Sequence, residues 1–301
     1  MATKASKSVT QFYVEYCKID DKLGNSSLLG IFSGNSRLAC ASGCNEQCTC
    51  IGYNSRLKKC RIHERCPFNT MRRPEGGWQY LVKKVFDCKE LFDNGVTMSG
   101  VYTIQPVTNQ LTDVYCDMET NGGGWTVLLK RIDGSVNFTR SWNDYKTGFG
   151  DVFSEYWIGN DFIHHLTRYD TSKLYVSITH VDGRRFFERY NRFSISDEAN
   201  GYLLHFGGAF GTLGDAMTAN GFPWSNLNGM KFSTIDKDQD KSPANCALSK
   251  GGGGWWYKRC RKALLTGPYG STNWGKVWSP TFNSGVDVRR VEMMVKRKAT
   301  K

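Results

Sequence analysis

A membrane-crossing helix is the first thing this 301-residue chain lacks: no apolar run approaches about 18 residues, and mean hydropathy is -0.48. A secretory leader is missing too, because Met1-Ala2-Thr3-Lys4 runs into polar sequence with no apolar stretch behind it. The signatures of common enzymes are absent as well: no G-x-S-x-G elbow, no P-loop, no G-x-G-x-x-G and no H-E-x-x-H. The glycine run at 251–254 is not followed by the Lys-Ser/Thr that cradles phosphate. The 5 histidines (His63, His164, His165, His180, His205) supply no H-x3–5-H pair for zinc. Collagen triplets and heptads are also missing, so any oligomer must arise from the folded surfaces or an unpaired cysteine. An enzyme is not expected. Proline is scarce, 7 against 32 glycines, which with 13% aromatics suggests a loop-rich extracellular type.

What the chain does hold is cysteine and positive charge. It has 11 Cys and a net charge of 40 − 28 = +12. Residues 1–86 carry 14 Lys/Arg and 6 Asp/Glu (+8), and residues 87–301 carry 26 and 22 (+4). The cysteines divide at the same place, with Cys17, Cys40, Cys44, Cys48, Cys50, Cys60 and Cys66 before it and Cys88, Cys116, Cys246 and Cys260 after it. A small domain that cannot bury enough apolar surface is stapled by disulfides, whereas a larger one needs fewer. Two domains follow, 10–84 and 85–299. Cys48-Thr49-Cys50 and Cys40-x3-Cys44 lack paired zinc spacings, so disulfides are the reading, and seven cysteines cannot all pair within one domain. This cysteine load points to a secreted, extracellular protein whose export signal lies outside this sequence. The sequons Asn25-Ser26-Ser27 and Asn137-Phe138-Thr139 fit that setting. Basic charge permits nucleic-acid contact, but the aromatics do not alternate with arginine along strands, so neither nucleic acid nor a membrane is an expected partner.

In the first domain, residues 33–46 suit a short helix capped near Asn35 or Ser36, with Cys40 and Cys44 on one face. Strand-like runs follow at Cys50-Ile51-Gly52-Tyr53, Lys59-Cys60-Arg61-Ile62 and Trp78-Gln79-Tyr80-Leu81-Val82. A two-Cys helix stapled to two-Cys strands resembles the PAN/apple module, here a small disulfide-rich α+β domain. That resemblance implies Cys40–Cys60 and Cys44–Cys50 pairing, and protein or glycan partners.

The second domain opens with Cys88-Lys89-Glu90-Leu91-Phe92, a helix start, then the strands Ser99-Gly100-Val101-Tyr102-Thr103-Ile104 and Val114-Tyr115-Cys116-Asp117-Met118. A Cys88–Cys116 disulfide can join them. Next come Gly122-Gly123-Gly124-Trp125, Ser141-Trp142-Asn143-Asp144-Tyr145, Glu155-Tyr156-Trp157-Ile158-Gly159-Asn160, Phe232-Ser233-Thr234-Ile235-Asp236-Lys237-Asp238-Gln239-Asp240, Asn245-Cys246 and Gly254-Trp255-Trp256-Tyr257-Lys258-Arg259-Cys260. Taken in order over residues 86–298, these motifs are similar to the fibrinogen C-terminal-type domain of fibrinogens, ficolins, tachylectins, tenascins and angiopoietins. The implied fold is α+β, a twisted, mainly antiparallel sheet with a loop-rich binding lobe.

Asp236, Asp238 and Asp240 concentrate hard oxygen ligands of the kind calcium takes. The loop is not an EF-hand, since position six is Lys241 and position twelve Ala247. The resemblance instead implies a Ca2+ site from Asp238, Asp240 and the carbonyls of Ser242 and Ala244. It also implies a Cys246–Cys260 disulfide, a cis Asn245–Cys246 bond that turns an amide toward the ligand, and a pocket of acetyl-binding type. In that pocket Arg261 stands where a histidine is usual, and Tyr257, Tyr269 and Trp274 are candidate aromatic walls, Tyr257 being equally a candidate for the core. Lys258, Arg259, Arg261 and Lys262 flank Cys260, and arginine offers bidentate contacts to carboxylate or sulfate. The expectation is a secreted, calcium-dependent, lectin-like protein that binds acetylated or anionic glycans in innate immune recognition through Asn245, Cys246, Tyr257, Cys260, Arg261 and Trp274. The alternative is a protein–protein ligand in adhesion or signalling, favoured by the missing pocket histidine.

Overall fold

The structure, a computed structural model, describes residues 12–14, 28–44, 48–64, 78–107, 110–169, 172–218, 226–260, 262–271 and 277–298. By compactness the chain divides into units 1–125 and 126–301. The expected boundary at 84/85 therefore falls inside the first unit, just past its sheet.

The first unit carries strands β1 (Phe12–Val14), β2 (Leu28–Ser33), β3 (Cys50–Asn54), β4 (Lys59–His63) and β5 (Trp78–Lys83), in the antiparallel order β1-β5-β3-β4-β2. Helix α1 (Arg37–Ser42) starts at Ser36, whose hydroxyl accepts the Ala39 N–H and so satisfies one of the first-turn donors. The Cys40–Cys60 disulfide pins α1 to β4 over Ile51 and Tyr53. The expected Cys44–Cys50 pair is corrected: Cys44 bonds Cys48. Gly43 ends α1 with its N–H on the Cys40 and Ala41 carbonyls, and the Cα atoms of Cys44 and Cys48 come within 5.3 Å, inside disulfide range. Cys50 opens the buried strand β3, opposite His63 of β4, and takes part in a disulfide of its own. Cys17 and Cys66 lie outside the described residues. Helix α2 (Cys88–Asp93), capped by Asp87, and the hairpin β6 (Gly100–Val107) with β7 (Gln110–Asp117) complete the unit; Cys88–Cys116 ties α2 to β7.

The second unit is built on β8 (Trp125–Arg131), β9 (Phe149–Gly150), β10 (Tyr156–Trp157), β11 (Ser172–His180), β12 (Arg185–Ile195), β13 (Leu204–Gly211) and β14 (Val288–Arg297). Their antiparallel order is β13-β12-β11-β14-β8-β10-β9. All seven residues of β8 are buried, the mark of a strand covered on both faces, whereas β13 is largely exposed. Helix α3 (Trp142–Thr147) begins with a full capping box, Ser141 and Asp144 bonding each other's backbone N–H. Helix α4 (Asn160–Thr167) turns Phe162, Ile163 and Leu166 into the core. Helix α5 (Cys246–Ser249) is a single turn.

Between β8 and α3 the chain wraps around a buried carboxylate. Glu155 accepts the backbone N–H groups of Ile132, Asp133, Gly134 and Val136, and its second oxygen lies 3.7 Å from Arg131 Nε. The Arg131 guanidinium donates to the Leu265 and Gly267 carbonyls and sits over the Phe138 ring at 3.8 Å. Burial pulls its pKa down to about 10, the opposing pull of Glu155 notwithstanding. Among the described residues no helix is long and apolar enough to cross a membrane.

Candidate functional site

The floor of the acidic loop is aromatic. Phe232 packs edge-on to Trp256 at 4.9 Å and lies 6.0 Å from Trp157, while Tyr145 meets Trp157 at 5.6 Å. Such edge-to-face pairs fix ring positions as well as burying area. Ser233 exchanges both backbone hydrogen bonds with Trp255, which fastens the start of the loop to the Trp255-Trp256-Tyr257 segment. Gly254 has to be glycine here, because a Cβ would fall 2.7 Å from the Tyr145 ring and 2.9 Å from the Phe232 ring.

On this floor the three aspartates do different work. Asp236 is a brace: its Oδ1 accepts the Trp142 N–H at 2.8 Å, at the start of α3, and the Thr234 hydroxyl at 2.7 Å. A carboxylate at a helix N-terminus answers both the orphan donors and the dipole. Lys237 lies over the Trp142 ring at 3.8 Å. Asp238 accepts the Asp240 N–H at 3.1 Å, and Asp240 accepts Ser242 N–H at 2.7 Å and Cys246 N–H at 2.8 Å. Burial, and the Asp238 carboxylate beside it, hold the Asp240 carboxyl above the usual range despite the two amide donors. Among the described residues no Lys or Arg forms an ion pair with either acid, and no donor bonds the carbonyls of Ser242 or Ala244. Two adjacent carboxylates without a counter-charge, next to two unengaged carbonyls, are a donor set that fits a hard oxygen-seeking cation such as Ca2+.

The expected ligand-binding residues fare differently. Asn245 is the N-cap of α5: its Oδ1 accepts the Leu248 N–H at 3.0 Å and its Nδ2 donates to the Thr234 carbonyl at 3.1 Å. Its side chain is spent inside the loop. The Asn245–Cys246 bond, expected cis, is trans, since the one cis peptide among the described residues is Ser279–Pro280. With the asparagine held as a helix cap, nothing offsets the ~3 kcal/mol that a non-proline cis bond costs. Cys246 is fully buried and disulfide-bonded to Cys260, so neither its side chain nor a turned amide lines a pocket. Tyr257 is also wholly buried, its hydroxyl donating to the Gly253 carbonyl, and it belongs to the core. Cys260 is half-buried with φ +57°, at the apex of a basic turn that carries Lys258, Arg259 and Lys262. Arg261 and Trp274 lie outside the described residues.

One cavity of about 310 Å³ went unnoticed in the sequence, lined by Arg131, Phe138, Thr139, Pro268 and Tyr269 among others. No local motif marks it, because its walls are more than a hundred residues apart. The sequon residue Asn137 sits on its rim and is exposed.

Braced acid loop, capped α5, Cys246–Cys260 and aromatic floor stand together in a compact lobe. The family model described as fibrinogen beta and gamma chains, C-terminal globular domain, matches residues 84–298. This chain belongs to that fibrinogen C-terminal family. Fibrinogen-like protein A of Apostichopus parvimensis is 46% identical over 206 residues, covering 68% of this chain and 69% of that protein. The solved fibrinogen-like globe domain of human ANGPTL2 superposes with TM-score 0.65 at 36% identity, over 71% of this chain and all of that one. Lamprey fibrin D-dimer, solved with the peptide ligand Gly-His-Arg-Pro-amide, gives TM-score 0.63 at 30% identity, over 72% of this chain and 76% of its own. The fibrinogen-type match begins at residue 84, directly after β5, whereas the disulfide-rich sheet before it lies outside the matched region.

Proposed function

We propose that this chain is a secreted recognition protein whose fibrinogen-type domain holds a calcium ion at Asp238, Asp240 and the carbonyls of Ser242 and Ala244. The observation that carries the reading is the uncompensated carboxylate pair beside two unengaged carbonyls. Bound calcium supplies the missing positive charge; it does not touch the ligand. What the chain's own residues do is transmit order: Asp240 grips the Cys246 N–H, Asn245 ties α5 to Thr234, and Cys246–Cys260 carries that rigidity to the basic turn. The ligand face is then the Cys260 turn, with Lys258, Arg259 and Lys262 offering cationic donors to the acidic or acetylated groups of a glycan.

Calorimetric titration of the full chain with CaCl2 tests this. The expected result is one calcium per chain, lost in Asp240→Asn, with a rise in Tm that follows mass action, about 2.7 kcal/mol when calcium stands at 100 times its Kd. Absence of calcium binding by a folded wild-type chain overturns the metal reading. A second reading is supported by the peptide seated on lamprey fibrin D-dimer: a protein ligand docking on the same lobe. Its signature is binding to a protein partner with no glycan bound. The disulfide-rich segment of residues 10–84, read as an apple-like module, is proposed as a further protein-binding part.

A further inference from the structure

At the outer edge of the second sheet, β12 and β13 together with Asn228 border an open cavity of about 370 Å³. The described residues that line it are Arg192, Ser194, His205, Phe206 and Asn228. Arg192 and Ser194 are two apart on β12 and share a face; their register partners on β13 are Gly207 and His205. Gly207 is what lets the guanidinium lie down, since a Cβ there would come within 2.9 Å of Arg192 Nη2. Asn228 is fixed from the other side: its Oδ1 accepts the Phe206 N–H at 3.1 Å, which leaves its NH2 as a donor. Gly229 N–H to Leu204 O and Leu204 N–H to Met230 O hold that segment along β13.

The chemistry of the lining has one sign. Among the described residues Arg192 has no hydrogen bond, ion pair or ring partner, and neither do the Ser194 hydroxyl and the His205 ring. No carboxylate is among the described lining residues. An arginine with five N–H groups, a hydroxyl, an imidazole and an amide NH2, grouped around a cavity of ligand size, is a donor array for an oxyanion, and the guanidinium fork matches a sulfate or carboxylate with two parallel bonds. A solvated surface arginine needs no such cradle. Here the strand opposite carries no side chain beneath it, and polar groups from three segments converge on the same space.

We propose that this cavity is a second ligand subsite, one that takes a sugar bearing a sulfate or carboxylate and works without calcium. It shares no residue with the acidic loop and does not rest on the calcium reading, so the two can fail separately. The shared chemistry is the oxyanion; whether a sulfated sugar or a uronic acid supplies it is read by the probes below.

The full chain, in EDTA, is titrated by ligand-detected NMR with glucose 6-sulfate, glucuronic acid, glucose and sodium sulfate. Saturable binding of glucose 6-sulfate or glucuronic acid, with glucose silent, is expected; whichever binds more tightly names the source. Charge-assisted bonds of this kind set the scale of the loss in Arg192→Gln at roughly tenfold or more in Kd. Gly207→Ala, which displaces the guanidinium while keeping its charge, weakens binding as well, whereas Asp240→Asn leaves it unchanged. Because Arg192 is exposed, the glutamine variant keeps its fold, checked by an unaltered Tm. Equal binding of wild type and Arg192→Gln overturns the proposal, and so does equal binding of glucose. Sodium sulfate binding as tightly as glucose 6-sulfate overturns its saccharide part, and loss of binding in EDTA alone overturns its independence from calcium.

Discussion

Glu188 offers a direct test of the electrostatics of the sheet. It sits on β12 between Val176 of β11 and Gly211 of β13, only 2% exposed, and its Oε2 has no hydrogen-bond partner. Burial first, and the nearby Asp215 second, push its pKa up to about 7 from an ordinary 4.5. Between those two values the folded chain keeps a proton that the unfolded chain has released. Stability therefore falls as pH rises from 4.5 to 7 and levels off above it. The rise from 4.5 to about 7 corresponds to roughly 3 kcal/mol, and relaxation of the protein around the buried charge brings this to about 2 kcal/mol. The neutral amide of Glu188→Gln removes the dependence. For a domain of this size about 2 kcal/mol is roughly 4–8 °C in Tm. Thermal unfolding followed by circular dichroism, on both proteins from pH 5 to pH 8.5, should show a small difference at pH 5 that widens in favour of the variant toward pH 8. Parallel profiles, or a variant that loses ground as pH rises, would refute the reasoning.

Glu155→Ala strands the buried Arg131 charge and four backbone N–H groups, so a loss of about 3–5 kcal/mol is expected, read as a fall of roughly 6–20 °C in a calorimetric Tm; an unchanged Tm contradicts the brace. His63 has the opposite pH signature to Glu188. Burial, then Arg61, pull its pKa down to about 4 from 6.5, so its contribution is whole above pH 6.5 and drains away as pH falls toward 4, about 3 kcal/mol in all. Urea titrations at pH 7 and pH 4.5 read this, and His63→Gln should flatten the difference between them.

Local chemistry was what the sequence could announce. The Ser36 cap was read from neighbours a few residues apart, and the Ser141/Asp144 capping box and the Asp87 cap are equally local, whereas the need for glycine at 254 is set by Tyr145 and Phe232, distant along the chain. The acidic loop was legible as oxygen ligands, but the separate office of Asp236, holding α3, was not, because its partner Trp142 lies 94 residues away. Cysteine pairing shows the limit of resemblance: Cys48 lies near enough in space to Cys44 to replace the expected Cys50, and only the path of the chain after α1 decides it. Tyr257 read as a pocket wall because an aromatic beside a basic turn looks the same buried or exposed. Its fate is set by the Gly253 carbonyl and the aromatic floor. Strand order is the least local property of all. The last strand, β14, lies between β11 and β8, and the β12–β13 cavity forms only once those strands are in register.

A glycan array probed with the full chain, first in calcium and then in chelator, tests the central claim most directly. Binding to acidic or acetylated glycans that falls in chelator by the same part that is lost when Lys258, Arg259 and Lys262 are neutralised, with any acidic-glycan binding left in chelator lost in Arg192→Gln, is the result this account predicts. No glycan binding by a folded, calcium-loaded chain, or binding through the Cys260 turn that persists undiminished in chelator, would contradict it.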